Sequence, residues 1–323
     1  MEYIKSKKFN LDIYNIDSNL FEWVGDDVKQ AEHIYTKPYS YWKTVFKKAF
    51  SSYLFITCFS LLVIFLLMSF TIAVGKPAVP LLSQPSLPHG PSAQHWFGTG
   101  KLGEDIWNKV WIGSRTTLFF AAMVFSIQIV LGLIIGAIWG FYAKLDMLFL
   151  EVTRFITIIP DMILWLVIIF LAGGEKGVGI IVFAVSITSW IGLASLMRIQ
   201  IILTKQTEYN IASKVLGTSG PKVIKNNILP KILPIVIQEI AFALPAAISI
   251  DSGLAYLGYG FIQPNKLEKA SLGSILNEVL SDNSWQEYPY LLIVPLVFVG
   301  GISLLFYMMG KVLADSLDPK THR

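Results

Sequence analysis

The chain has 323 residues, of which 54% are hydrophobic and 15% are charged, whereas soluble domains carry about 25% charged residues. The net charge of +4 is small, and it gives no reason to expect a nucleic-acid partner. With Cys58 as its single cysteine, the chain cannot form an internal disulfide. The composition therefore excludes a soluble or disulfide-stabilised domain and predicts a membrane protein.

Six apolar stretches predict transmembrane helices. An apolar helix of about 20 residues crosses the hydrocarbon core of a bilayer, which is about 30 Å thick. Four stretches contain no charge, and the other two contain one acid each, Asp161 and Glu239. The stretches are residues 50–75, 116–143, 155–174, 177–197, 232–250 and 288–310. The predicted fold class is an all-α polytopic membrane protein with six transmembrane helices.

The charges between the apolar stretches predict which side each loop occupies. Residues 1–52 hold eight lysines, and residues 198–231 hold six cations against one acid. Residues 256–287 hold two lysines against four acids. Because cytoplasmic loops carry the excess of lysine and arginine, we expect both termini in the cytoplasm and the loops 76–115 and 256–287 outside.

This topology predicts an arm, a first span, an outer loop, a core and a tail. In chain order the parts are residues 1–48, a cytoplasmic arm that ends in an interfacial helix; 49–75, the first transmembrane helix; 76–115, an extracellular loop; 116–310, the core with transmembrane helices 2 to 6, a polar cytoplasmic loop at 201–231 and an outer loop at 256–287; and 311–323, a cytoplasmic tail.

The polar loop 201–231 predicts a short helix, a sharp turn and a second short helix. Residues 208–216 have helical character, and the small residue Ala212 lies beside an apolar stripe. The stripe consists of Ile211, Val215 and Leu216. Gly217 suits the left-handed position after a helix, and Pro221 suits the first turn of the next one. Such an element is suited to docking in a groove on another protein.

The same loop resembles the EAA loop of ABC-importer permeases. The consensus of that loop is Glu-Ala-Ala, three residues, Gly, and a Leu-Pro pair about a dozen residues later. The corresponding positions here are Ile211, Ala212, Ser213, Gly217 and Leu229-Pro230. The glutamate and the second alanine of the triplet are thus replaced in this sequence.

Three other segments resemble the peptide/nickel class of these permeases. The segment HWFGTGKLGEDIWNKVWIGSRTTL (95–118) is similar to the signature His-x-Phe-Gly-Thr-Asp-x-x-Gly-Arg-Asp…Gly-x-Arg, with Gly100 and Glu104 in the Asp and Arg positions. DSGLAYLGYG (251–260) resembles Glu-x-x-Leu-Ser-Phe-Leu-Gly-Leu-Gly, and GKVLADSLDPKTHR (310–323) resembles the Gly-Asp-x-Leu-Arg-Asp-x-Leu-Asp-Pro tail. The chain thus resembles the C-type permease subunit of an oligopeptide importer.

The resemblance implies a type I ABC-importer permease fold whose polar loop contains a coupling helix that docks on an ATPase. The docking residues that it implies are Glu208, Ile211, Ala212, Ser213, Val215, Leu216, Gly217 and Pro230. The implied partners are a homologous B-type permease, two cytoplasmic ABC ATPases and an extracellular peptide-binding lipoprotein, assembled in a bacterial plasma membrane.

The chain itself is expected to be no enzyme and to bind no cofactor. It has no phosphate-binding Gly-x-x-x-x-Gly-Lys-Ser/Thr segment, so ATP and magnesium would bind to the partner ATPases. No predicted span contains a histidine, which makes a histidine-lined metal path unexpected.

The acids inside the apolar stretches are candidates for the translocation path. A charge at the bilayer centre costs at least about 2.5 kcal/mol, so such residues usually face a cavity or a partner. Glu239 lies roughly 13 Å along the helix from Pro230, where it either lines the path or pairs with the companion subunit. Asp161 either lines the path or pairs with Arg154, two turns away. Asp251, at the outer end of the fifth span, is expected to pair within the protein.

Other functions remain open at the level of sequence. A dipeptide or nickel permease shares every motif quoted above. A stand-alone secondary transporter would require inverted repeats or interrupted helices in matching halves, and the sequence shows neither. A scaffold or signalling protein predicts loss of the loop helix, which the sequence retains.

Overall fold

A computed structural model describes residues 41–80, 87–172, 178–260 and 269–317, with the side chains from residue 43 onward, and its regular structure is helical. One isolated antiparallel bridge joins Thr99 and Asp105. The helices are α1 (Tyr41–Ala49), α2 (Tyr53–Thr71), α3 (Ile106–Phe141), α4 (Ala143–Ile158), α5 (Asp161–Leu171), α6 (Val178–Lys205), α7 (Glu208–Val215), α8 (Gly220–Val223), α9 (Leu229–Tyr256), α10 (Leu272–Ser281) and α11 (Tyr290–Leu317), with a π-helical turn at Ile224–Ile228 and a 3-10 turn at Ser284–Gln286.

Five described helices are long and apolar enough to cross a membrane: α2, α3, α6, the run Gly220–Tyr256 and α11. A sixth span is present only if the bent pair α4 and α5 counts as one. The chain is therefore a multi-pass membrane protein. The predicted arm 1–48 is described only from residue 41, where α1 lies, and residues 318–323 of the predicted tail are outside the described ranges.

The third predicted span, 155–174, is not one straight helix. α4 and α5 meet at an 84° bend, and α5 has 11 residues, which at about 1.5 Å each cannot cross the hydrocarbon core. Pro160 accounts for the break, because proline lacks an N–H and disfavours helical backbone in the residue before it. Ile159 is accordingly extended, with φ −85° and ψ 125°.

The second span begins earlier than the sequence predicted. α3 starts at Ile106 rather than at residue 116, so the predicted loop 76–115 ends in a helix. The 36 residues of α3 give a length of about 54 Å, well beyond the bilayer core. Asp105 caps this helix by accepting a hydrogen bond from Trp107 N at 2.9 Å. The predicted outer loop 256–287 likewise contains α10.

Arg115 of α3 fixes the end of the first span. Its Nε donates to the carbonyl oxygen of Ser69 at 2.8 Å, and its Nη2 donates to that of Ile72 at 2.9 Å. The last carbonyl groups of a helix have no partner inside the helix. The guanidinium therefore satisfies acceptors that would otherwise be left open at the C-terminus of α2.

Three glycines hold α3 and α6 in close contact. Gly132, Gly136 and Gly140 recur every fourth residue, so they share one face of α3. A Cβ atom at any of them would come within 3.0 Å of α6. The nearest side chains at these three positions are those of Leu193, Met197 and Ile201. Small residues at this spacing let the backbones of two membrane helices approach closely.

Near the α7 end of the molecule, a separate apolar cluster fills the space between α6, the π-helical turn and α9. We call it the loop-side cluster; it consists of Leu193, Met197, Ile201, Val223, Ile228, Ile232 and Val236. Leu193, Met197 and Ile201 also contact the α3 glycines. The glycine contact and the loop-side cluster are therefore two sides of the same packed region.

A single methyl group at Gly136 is expected to destabilise the protein. In Gly136→Ala the new Cβ would lie 2.6 Å from Met197 Cβ and 2.9 Å from the Ala194 backbone, and such overpacking costs about 1–3 kcal/mol. Gly192→Ala is the matched control, because α6 leaves open space there and alanine favours helix by roughly 0.5–1 kcal/mol. The thermal stability of the full chain in detergent should fall only for Gly136→Ala. An equal response of the two variants would contradict the close contact.

Candidate functional site

Helix α7 is attached to the end of α6 by a buried asparagine. Asn210 is 2% exposed, and its Nδ2 donates to the Thr204 carbonyl oxygen at 2.9 Å and to Thr207 Oγ1 at 3.1 Å. The Thr207 hydroxyl in turn donates to the same carbonyl at 2.7 Å. These bonds fix the direction in which α7 leaves α6. Asn210 was missed at the level of sequence, because a polar residue in a polar loop gives no signal of burial.

The turn after α7 has the geometry that the sequence predicted. Gly217 has φ +83°, and nothing lies within 4 Å of a Cβ built on it, so the backbone angle and not the space requires glycine. Thr218 N donates to the Ser213 carbonyl at 3.1 Å, and Gly217 N donates to that of Lys214 at 3.0 Å. This pair of bonds is a Schellman motif. Pro221 then lies in the first turn of α8.

One face of α7 is apolar and largely exposed. The side chains of Ile211, Val215 and Leu216 are 52%, 81% and 85% exposed. Glu208 and Ala212 are exposed beside them, and Ser213 is half-buried. Fully burying an aliphatic side chain of this size contributes about 1.5–3 kcal/mol. An apolar group of this kind outside the membrane spans is typical of a protein–protein contact. Of the remaining predicted docking residues, Gly217 and Pro230 are also exposed.

Helix α8 and the π-helical turn connect α7 to the membrane helices. Val223 and Ile228 are buried in the loop-side cluster. Gly220 lies so close to the Phe141 ring of α3 that a Cβ would approach it to 2.6 Å. A displacement of α7 therefore acts on α6 through Asn210 and on α3 and α9 through the packed turn.

Tyr209 and Lys231 form a further contact between α7 and α9. Lys231 Nζ lies 4.9 Å from the centre of the Tyr209 ring. Burial by itself raises the pKa of the Tyr209 hydroxyl, but hydrogen bonding with Thr207 and the nearby Lys231 ammonium stabilise the phenolate more strongly, so this pKa lies below its ordinary value. The contact places a cation of α9 against the base of α7.

Asp146 and Arg198 form a charged pair that joins α3, α4 and α6 and that was not predicted from the sequence. Arg198 Nη2 donates to Asp146 Oδ2 at 2.8 Å, and its Nε donates to Oδ1. Trp139 Nε1 donates to the same Oδ1 at 2.9 Å, while the guanidinium carbon lies 5.4 Å from the Trp139 ring centre. Such bidentate pairs are among the strongest side-chain hydrogen bonds. This one fixes the start of α4 against α6.

The two acids predicted for the path occupy different environments. Glu239 is half-buried inside α9, and Asp161 is exposed at the first residue of α5. Neither carboxylate makes a hydrogen bond or ion pair with another residue that the structure describes. Arg154, the partner that the sequence suggested as an alternative for Asp161, donates from Nη1 to Glu151 Oε1 at 3.3 Å in the structure. Because the chain bends at Pro160, Asp161 and Arg154 do not share one helix face, as they would on a straight helix.

Residues 89–105, which include the beginning of the signature segment, pack against the first residues of α3 and of α11. His95 Nδ1 lies 3.3 Å from Asp105 Oδ2. The Tyr290 hydroxyl of α11 lies 2.9 Å from the His89 carbonyl oxygen and 2.8 Å from that of Thr99. Gly98, with φ +80°, allows this approach, since a Cβ there would come within 2.6 Å of the His89 carbonyl. The segment thus packs on the helix bundle at the end where α3 and α11 begin.

A buried lysine joins that segment to α10. Lys109 is 4% exposed and Glu104 is 2% exposed. Lys109 Nζ donates to Glu104 Oε1 at 2.8 Å and to Glu278 Oε2 at 2.7 Å. A Cβ on Gly100 would overlap the Glu104 carboxylate. The two positions at which this sequence departs from the signature therefore depend on each other, because Glu104 requires glycine at position 100.

Asp251 pairs within the protein, in line with the expectation from sequence. It is fully buried and accepts a hydrogen bond from Thr117 Oγ1 at 3.0 Å. Thr117 Oγ1 also accepts from Leu272 N at 2.9 Å. These bonds connect α9, α3 and α10 at the end of the molecule opposite α7.

Comparison with known proteins identifies the family of this chain. Residues 128–323 match the family model described as the binding-protein-dependent transport system inner membrane component. The chain belongs to this family. The matched residues of the permease include α7, the Gly217 turn, Asp161 and Glu239. It is therefore a membrane transport subunit with the type I permease fold.

Three curated relatives align with most of the permease. It is 31% identical over 313 residues to the oligopeptide transport system permease protein AmiD of Streptococcus pneumoniae, which covers 95% of this chain and 99% of the relative. It is 29% identical over 311 residues to the oligopeptide transport system permease protein OppC of Bacillus subtilis, with 96% and 99% covered. It is 32% identical over 247 residues to the dipeptide transport system permease protein DppC of Bacillus subtilis, with 75% and 73% covered.

Removal of the buried Lys109 should destabilise the permease unless its partner Glu104 is neutralised as well. Lys109→Met leaves the Glu104 carboxylate buried without a cation, which costs about 3–5 kcal/mol. The double variant Glu104→Gln/Lys109→Met should regain much of this stability in thermal unfolding of the full chain.

Lys101→Met is the control for this experiment. Lys101 pairs with Asp282 at 2.9 Å, and both side chains are more than one third exposed. Exposed pairs contribute about 0–1 kcal/mol, so this variant should unfold nearly as the unchanged chain does. A double variant that is no more stable than Lys109→Met would contradict the dependence on Glu104.

Proposed function

We propose that this permease is the C-type subunit of an ATP-driven oligopeptide importer and forms half of its translocation path. The observation that carries the proposal is α7, a short helix with an exposed apolar face that is rigidly attached to three membrane helices. The two relatives that align with 95% and 96% of the chain are both named as oligopeptide transport permeases. A homologous B-type permease would supply the other half of the path.

The family resemblance implies the remaining partners, and the charge distribution indicates on which side of the membrane each would bind. The cation-rich loop that contains α7 would face the cytoplasm, where two ABC ATPases would bind ATP and magnesium, so the chain itself needs no cofactor. A peptide-binding lipoprotein would deliver substrate at the outer end, where α10 and the 89–105 segment lie. Both termini would then be cytoplasmic in a bacterial plasma membrane.

The attachment of α7 suggests how ATP-driven movement reaches the path. An ATPase that moves α7 would displace α6 through Asn210, because a buried amide with two hydrogen bonds cannot slide without breaking them. The loop-side cluster would move with α6, and with it the start of α9. Glu239 lies farther along α9, so the same movement would change its surroundings.

A dipeptide permease is the second candidate, because the dipeptide relative is 32% identical to the chain over its matched part. That match covers 75% of the chain, whereas the two oligopeptide relatives named above cover 95% and 96%. Competition of longer peptides and of dipeptides for uptake by reconstituted complexes would distinguish the two substrates.

Ala212→Arg is expected to uncouple ATP hydrolysis from peptide uptake. The added bulk and charge lie in the centre of the apolar face, where the loss of a central contact costs about 2 kcal/mol or more, or at least about thirtyfold in affinity. Uptake by vesicles that contain the full complex should fall by at least that factor. Asn226→Arg adds the same charge at an exposed position of the π-helical turn and should leave uptake nearly unchanged. Normal uptake by Ala212→Arg would refute the docking assignment.

Glu239→Gln is expected to alter selectivity without loss of assembly. The substitution keeps size and hydrogen bonding but removes the charge, so a carboxylate that lines a wet path should matter most for cationic peptides. Uptake of cationic peptides should fall more than that of acidic ones, while the yield of complex stays the same. An equal loss for all peptides, together with a reduced yield, would identify Glu239 as a structural partner of the companion subunit, since an unpaired buried group costs several kcal/mol.

A further inference from the structure

An open pocket of about 530 Å³ lies between α7 and the corner where α3 meets α4. Its lining includes Phe141, Tyr142 and Leu145 from the corner, together with three lysines. The lysines are Lys144 at the start of α4, Lys205 at the end of α6 and Lys214 on α7. We call this site the lysine pocket. Neither the coupling of α7 to the membrane helices nor the path requires it.

The lysine pocket carries a positive charge, and no described carboxylate forms an ion pair with its lysines, although Asp146 is near enough to interact electrostatically with Lys205. Its lining contains no acid, and none of the three lysines forms an ion pair with a described carboxylate. The nearby carboxylate of Asp146 is occupied by Arg198. Lys205 is held in place, because its Nζ donates to the Phe141 carbonyl oxygen at 3.1 Å and lies 5.8 Å from the Phe141 ring centre.

The helices that carry the lysines also expose apolar side chains close to them in the chain. Met147 and Leu148 follow Lys144 along α4 and are 75% and 59% exposed, and Leu203, two residues before Lys205 on α6, is 62% exposed. Tyr142, at 45% exposure, has the amphipathic side chain that is enriched at the membrane–water interface. A charged pocket close to exposed apolar side chains matches a molecule with a phosphate headgroup and acyl chains.

The lysine pocket is distinct from the face of α7 that the ATPase would cover. Lys214 follows the buried Asn210 by one turn, so it lies on the side of α7 that faces the membrane helices. Ile211, Val215 and Leu216 lie on the other sides and remain exposed. An ATPase seated on the apolar face would leave the lysine pocket open to the membrane surface.

We propose that the lysine pocket binds the headgroup of an anionic phospholipid, with Lys144, Lys205 and Lys214 around the phosphate. Basic pockets beside transmembrane helices on the cytoplasmic side bind such headgroups. The bound lipid connects the core-facing side of α7 to the α3–α4 corner, so it stabilises the position of the coupling loop. The assignment of the site to the cytoplasmic leaflet rests on the proposed function; the binding chemistry does not.

The test measures retained lipid by native mass spectrometry of the full chain, purified with its accompanying subunits. Phosphatidylglycerol is the anionic probe and phosphatidylcholine is the neutral one. The variant K144Q/K214Q removes two exposed lysines of the lysine pocket. The control K222Q/K225Q removes two exposed lysines of the same loop outside it. K144R/K214R keeps the charge.

The unchanged chain should retain phosphatidylglycerol in preference to phosphatidylcholine. Each lysine near an anionic surface contributes about a factor of five in affinity, so K144Q/K214Q should weaken binding by about thirtyfold. K222Q/K225Q and K144R/K214R should change it by less than about threefold. Inorganic phosphate should not displace the lipid, because the acyl chains contribute to its binding.

Several results would overturn the proposal. Equal weakening by both glutamine pairs would show unspecific attraction to the surface, and the absence of a preference for phosphatidylglycerol would exclude the site. Displacement by inorganic phosphate would identify a free anion as the ligand. Loss of ATPase subunits from K144Q/K214Q with unchanged lipid retention would identify a protein contact. Because retention is measured without transport, failure of this site and failure of the proposed importer function are separate outcomes.

Discussion

The close approach of α3 and α6 is the constraint on which the rest of the structure depends. It requires three glycines at every fourth position, because any side chain there would overlap α6. The α6 residues that fill this contact also form the loop-side cluster. Membrane helices gain little from apolar burial against one another in lipid, so dense backbone packing is a main source of their association. The position of α7 is therefore determined by a rigid pair of helices and not by a loop.

The polar contacts at the two ends of this helix pair differ in how deeply they are buried. At the end opposite α7, Lys109 and Asp251 each join α3 to elements distant in the chain, and both are almost fully enclosed. At the α7 end, Asp146 and Arg198 are only partly buried, and Asn210 is the enclosed group. Buried polar groups must keep their partners, so the end opposite α7 is expected to move as one body. The end that carries α7 also holds the lysines of the proposed lipid site.

The chain also shows how two departures from a family signature can depend on each other in space. Gly100 and Glu104 replace an aspartate and an arginine of the resembled signature. The structure places a carboxylate where a side chain at position 100 would otherwise be, and Lys109 provides the cation. The charge at position 104 is reversed, yet the segment is still held by an ion pair. The two departures look independent in the sequence, but in the folded chain the Glu104 carboxylate occupies the space beside Gly100.

The sequence by itself determined the elements that depend on local chemistry. Long charge-free stretches predicted the membrane helices, and Gly217 with Pro221 predicted the end of α7 and the start of α8, because backbone angles and apolar length are properties of neighbouring residues. The docking role of α7 and the role of Glu239 stay predictions. The bend at Pro160 has a local cause that the prediction of a straight span overlooked, whereas tertiary structure alone decided the contact of the α3 glycines with α6 and the pairing of Asp146 with Arg198. A charge in a sequence predicts exposure, and only the folded chain shows whether a partner 52 residues away makes its burial possible.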